Sequence, residues 1–89
     1  MDYASYPGTR ELVRFLWRKA SSPPTWYAAD RAMAGRGFVD PAVFAVLRWL
    51  ASQGWVKALP SDGPMTTYAL TAAGIEAARA MGWLDELDR

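Results

Sequence analysis

Apolar positions along this chain follow a helical period in four stretches and a period of two in the segment between the last two of them. From Thr9 to Ala20, Leu12, Val13, Phe15, Leu16 and Ala20 mark the buried side of a predicted helix, with Trp17 next to them. Thr9 offers a hydroxyl for its N-cap, and Ser21-Ser22-Pro23-Pro24 stops it, because proline lacks the N–H a helix needs. Thr25 then caps a second predicted helix through Ala34, with Trp26, Ala29 and Met33 inward and Gly35 and Gly37 at its end. Arg36-Gly37-Phe38-Val39 is the expected turn into a third helix. There Asp40 is placed to cap and Pro41 to fill the first helical position, where a missing N–H costs nothing. Phe44, Leu47, Leu50 and Ala51 are its expected core face, and Gly54 its stop. Trp55–Leu59 and Met65–Leu70 read as strands around the turn-rich Pro60-Ser61-Asp62-Gly63-Pro64, with Tyr68 and Leu70 on the opposite face from Thr67. Thr71 caps a last helix through Ala80 or Met81, with Ile75, Ala78 and Met81 inward. Phe44, Leu47, Leu50, Tyr68, Leu70 and Ile75 are expected to pack beneath the hairpin, closed on the other side by Leu12 and Leu16.

The order of these elements predicts an α+β, mostly helical fold: a winged helix-turn-helix with three helices, a two-stranded wing and a C-terminal helix. The segment Phe38 to Met81 resembles the winged-helix regulators of the PadR and MarR type. The residues that carry the resemblance are Phe44, Leu47, Leu50, Gly54, Trp55-Val56, Tyr68, Leu70-Thr71 and Gly74. It covers about half of the chain. It implies a DNA-binding transcriptional regulator, in which the second and third helices form the helix-turn-helix pair and the third is the recognition element. Such proteins dimerise through terminal helices, so the resemblance also implies a homodimer.

The 89 residues suit a single domain over 1–89, with residues 1–8 a lead-in ordered in part by Tyr3 and Tyr6, and residues 83–89 an acidic tail. Cysteine and histidine are both absent, which excludes disulfides, thiolate metal sites and the usual general base. The acidic residues show no spacing for a carboxylate pair or metal cage, and Gly35-Arg36-Gly37 lacks the strand and third glycine of a phosphate-binding loop. No enzymatic activity and no cofactor are therefore expected. No apolar run spans a bilayer and the start has no basic-then-apolar leader, so a cytoplasmic location without membrane contact is the expectation.

A net charge of +1 does not by itself announce a nucleic-acid partner. Double-stranded DNA would be held mainly through its backbone, with Arg10, Arg14, Arg18, Lys19, Arg31, Arg36, Arg48, Gln53 and Lys57 as candidate contacts. Arg10, Arg14 and Arg18 recur every four residues and so form a stripe along the first helix. The face of the third helix opposite Phe44, Leu47 and Leu50 would carry Ala42, Ala45, Val46, Trp49 and Gln53. That apolar face motivates a second function, a winged-helix protein-binding module such as an adaptor or a mobile-element inhibitor. Its interface with a protein partner or a second copy would be Ala42, Ala45, Val46, Trp49 and Trp83.

Overall fold

The computed structural model describes residues 3–39, 42–60 and 65–84. The described elements run α1 (Pro7–Arg18), α2 (Trp26–Ala34), α3 (Val43–Ser52), β1 (Val56–Leu59), β2 (Thr67–Leu70) and α4 (Ala72–Ala80). This is the helix, helix, helix, hairpin, helix order of a winged helix-turn-helix.

Helix α1 begins two residues before the expected cap. Pro7 fills its opening position, where a ring-fixed φ is already helical, and the extended Tyr6 stands at the N-cap. Thr9 thus lies inside the helix and is fully buried, its hydroxyl without a hydrogen-bond partner among the described residues. Leu12, Val13 and Leu16 carry the buried side as expected. Helix α2 follows the prediction more closely. Thr25 Oγ1 accepts from the Ala28 N–H at 3.1 Å, and Ala29 and Met33 are buried. Trp26, expected inward, is instead 38% exposed.

Three helices end in one and the same way. Gly37, Gly54 and Gly82 have φ of 88°, 80° and 73°. After each glycine an aromatic residue donates its N–H back across the helix end: Phe38 to Met33 O, Trp55 to Leu50 O, and Trp83 to Ala78 O. The left-handed glycine turns the chain so that this aromatic folds over the last turn, satisfying a carbonyl the helix leaves open. Gly82 therefore ends α4, and Met81, expected inward, is exposed.

The hairpin pairs antiparallel with Val56 opposite Leu70 and Leu59 opposite Thr67, its strands starting later than expected, at Val56 and Thr67. A third short element joins it. Tyr68 N–H donates to Pro24 O at 2.9 Å, and Thr25 bridges Thr67. Pro24 has a carbonyl to give and no N–H to satisfy, which suits it to a sheet edge. Thr71 ties the hairpin to both flanking helices. Its hydroxyl donates to Gly54 O at 2.7 Å and accepts from the Gly74 N–H at 3.0 Å, while its own N–H donates to Trp55 O.

Helix α3 is rotated relative to its expected phase. Val43, Val46, Leu47 and Leu50 are buried, at the i, i+3, i+4, i+7 spacing of a core-facing stripe. Phe44 and Ala51, expected inward, point out, and Val46, expected outward, is only 2% exposed. The expected cap residues Asp40 and Pro41 lie outside the described residues, and the helix opens at an extended Ala42 that makes no side-chain cap bond. The turn residues Ser61–Pro64 and the acidic tail beyond Leu84 also lie outside them. The core joins Leu12, Val13 and Leu16 of α1, Ala29 and Met33 of α2, the four α3 residues, Val56 and Ala78, with Tyr68 and Leu70 packed against it. Ile75, expected in that core, is half-buried.

Candidate nucleic-acid interface

The outward side of α3 carries Phe44, Arg48, Ala51 and Ser52, and Gln53 follows at the C-cap. Because α3 presents Val46 and Leu50 to the core, Arg48 is turned into solvent. Its guanidinium carbon sits 6.0 Å from the centre of the Phe44 ring, within cation–π range. Phe44 in turn meets Trp26 of α2 edge-on at 6.2 Å, and Trp26 meets Tyr27 at 6.0 Å. Tyr27, Trp26 and Phe44 are 53%, 38% and 45% exposed. These three rings and one guanidinium form a connected surface patch across the helix-turn-helix pair.

The expected α1 stripe is differently engaged. Arg10 Nε lies 3.8 Å and Arg14 Nη1 3.7 Å from the Glu11 carboxylate. Arg18 and Lys19 are exposed at the helix end. Arg36 leans back toward α1: Nη1 donates to Ala32 O at 3.2 Å, and the guanidinium lies over the Phe15 ring at 5.8 Å. Arg79 of α4 similarly covers Trp17 at 5.6 Å. Arg31 and Lys57 are exposed on α2 and β1. Of the sequence-derived cations, then, Arg48 alone is placed by a described contact on the outward face of α3.

The residues expected as an apolar interface do not share a free face. Val46 is in the core, Ala45 is half-buried and Ala42 is exposed ahead of the helix. Trp49 is half-buried under the chain's own aromatics, 6.1 Å from the Tyr3 ring and 5.6 Å from Trp55. Trp83 continues this row, 6.5 Å from Trp55. One rotation accounts for all of these placements. Rotating the helix about its axis exchanges Val46 for Phe44 on the surface and lets the lead-in cover Trp49. Trp26, Tyr27 and Phe44 were not among the expected site residues. The signal that points to them is the lack of any lysine or glutamate on that side, which leaves large rings next to a lone arginine.

An outward third helix beside a hairpin, braced by a second helix, defines the chain as a winged helix-turn-helix protein. Among solved structures it is similar to a mutant of MepR from a multidrug-resistant S. aureus clinical isolate, with a TM-score of 0.71 at 19% identity. The match covers 91% of this chain and 59% of that one, so the chain spans less than two thirds of the MepR chain's length. No protein-family model and no curated protein matches the chain. Among the described residues, no helix is long and apolar enough to cross a membrane.

Proposed function

We propose that this protein is a small DNA-binding transcriptional regulator of the PadR/MarR type that docks α3 in the major groove of duplex DNA. The observation that carries this reading is Arg48, held on the outward face of the helix that the fold offers to DNA. The winged-helix architecture shared with MepR supports it, as does the run from Phe44 to Gly74 that resembles such regulators. In this reading Arg48 and Gln53 face the groove, while Arg31, Lys57 and Lys19 supply phosphate contacts and no enzymatic step is involved. Arg10, Arg14 and Arg36 contribute less, since their guanidinium groups already serve Glu11, Ala32 and Phe15. A second copy of the chain would place two α3 helices on successive half-sites, as dimeric helix-turn-helix proteins do.

The second reading is a winged-helix protein-binding module. The observation that favours it is the continuity of the exposed rings of Tyr27, Trp26 and Phe44, since joined apolar patches mark contact surfaces. Charge reversal separates the two. Arg48→Glu should lower the affinity for a labelled generic duplex at least about tenfold at low salt, because it removes an attraction and adds a repulsion. Arg10→Glu should change it far less. Fluorescence anisotropy reads both. Equal affinity of wild type and Arg48→Glu rejects docking through the Arg48 face of α3, and no duplex binding at low salt rejects the DNA reading.

A further inference from the structure

Phe44 and Arg48 stand one turn apart, and the ring and guanidinium are already in contact. Trp26 meets the ring edge-on from the α2 side. A ring left 45% exposed beside a cation calls for a partner with an apolar spot next to hydrogen-bond acceptors. The major groove has such a place. The thymine C5 methyl is an apolar knob, and a neighbouring guanine presents O6 and N7 in a spacing that a guanidinium fork matches. Phe44 is the second residue of α3, and the N-terminal part of a recognition helix is the part that reaches base edges.

Resting on the DNA reading above, we propose that the outward face of α3 reads a thymine–guanine step. Phe44 packs on the thymine methyl, and Arg48 donates two N–H groups to guanine O6 and N7. The cation–π approach to Phe44 already biases the guanidinium before docking, so fewer rotamers are lost when the fork engages the base. Tyr27, exposed at the first turn of α2, donates its hydroxyl to a phosphate and sets the register without reading sequence. Charge and shape both favour this occupant. The groove is negative and presents its paired acceptors at guanine O6 and N7, which suits Arg48, and it offers a methyl group only at thymine, which suits Phe44.

The probe is a pool of duplexes with randomised cores, retained on the full chain at low salt and sequenced. Enrichment of a thymine–guanine step is the expected result. In an enriched duplex, replacing the thymine by uracil removes only the methyl and should weaken wild-type binding about fourfold, the value of one buried methyl group. Replacing the guanine by 7-deazaguanine removes N7 and should weaken it about tenfold, within the range of a good arginine–guanine pair. Phe44→Ala should lose sensitivity to uracil and keep sensitivity to 7-deazaguanine, and Arg48→Ala the reverse. Cooperative thermal melts close to that of wild type establish that both variants are folded, as expected for exposed positions. Retention of duplexes with no enriched step, or wild-type indifference to both base changes, overturns the step reading and leaves DNA binding standing. Preference for the single-stranded pool overturns it in favour of base stacking on the rings. Phe44-dependent self-association without duplex binding overturns it in favour of a second copy on this face. Retention of no nucleic acid overturns both this inference and the function it rests on.

Discussion

Gly74→Ala should destabilise the protein by about 3 kcal/mol, although alanine is normally the better helix residue by about 1 kcal/mol. Gly74 is buried in the first turn of α4, directly against the backbone of Trp55. A β-carbon there would collide with the Trp55 carbonyl, which is backbone and cannot swing aside. That carbonyl also accepts the Thr71 N–H, and Thr71 bonds Gly54 and Gly74 through its hydroxyl. Pushing α4 away would break this knot as well as the contact. For a domain of this size a loss of that order is a large share of the roughly 5–15 kcal/mol typical of native stability. Urea unfolding checks it, and a midpoint equal to or above that of wild type would contradict the close approach of α4 to the β1 entry.

Leu47→Ala should cost about 2–5 kcal/mol, through lost burial and the cavity left behind. Leu47 is 1% exposed and sits at the centre of the α3 stripe, between Val43, Val46 and Leu50. Phe44→Ala, on the same helix, removes more carbon yet should shift stability by no more than about 1 kcal/mol, because its ring is outside the core. The contrast between the two urea midpoints reads the helix phase directly. Comparable losses in both would restore the phase in which Phe44 faces inward.

That phase is the part of the structure that the sequence leaves undetermined. From Ala42 to Ala51 every residue except Arg48 is apolar, so the helical period has almost no polar side to orient it. Valine at 43 and 46 and phenylalanine at 44 are all acceptable core residues, and tertiary packing selects the valines. The order of elements was legible because its signals are local and chemical. A glycine with positive φ ends α3, a threonine hydroxyl caps α2 and another caps α4, and the strands alternate around a turn. The start of α1 was misplaced because proline at the first helical position outranked a threonine that looked like a cap. Two features are non-local and left no pattern to read. Pro24 and Thr25 add to the hairpin edge through contacts with Thr67 and Tyr68, and Tyr3 covers Trp49 from the lead-in. Of the candidate site, Arg48 was legible as a cation near the third helix. Its partnership with Phe44 and Trp26 was not, since it depends on the rotation of α3 and on the outward turn of the α2 start.

If α3 meets DNA with the face that bears Phe44 and Arg48, backbone amide shifts recorded while a generic duplex is added at low salt will map to that face. The largest changes are expected along residues 44–53, from α3 to its C-cap, and at Tyr27, fading as salt is raised and counterions compete for the phosphates. Changes confined to α1 and α4, or none at all, would contradict it.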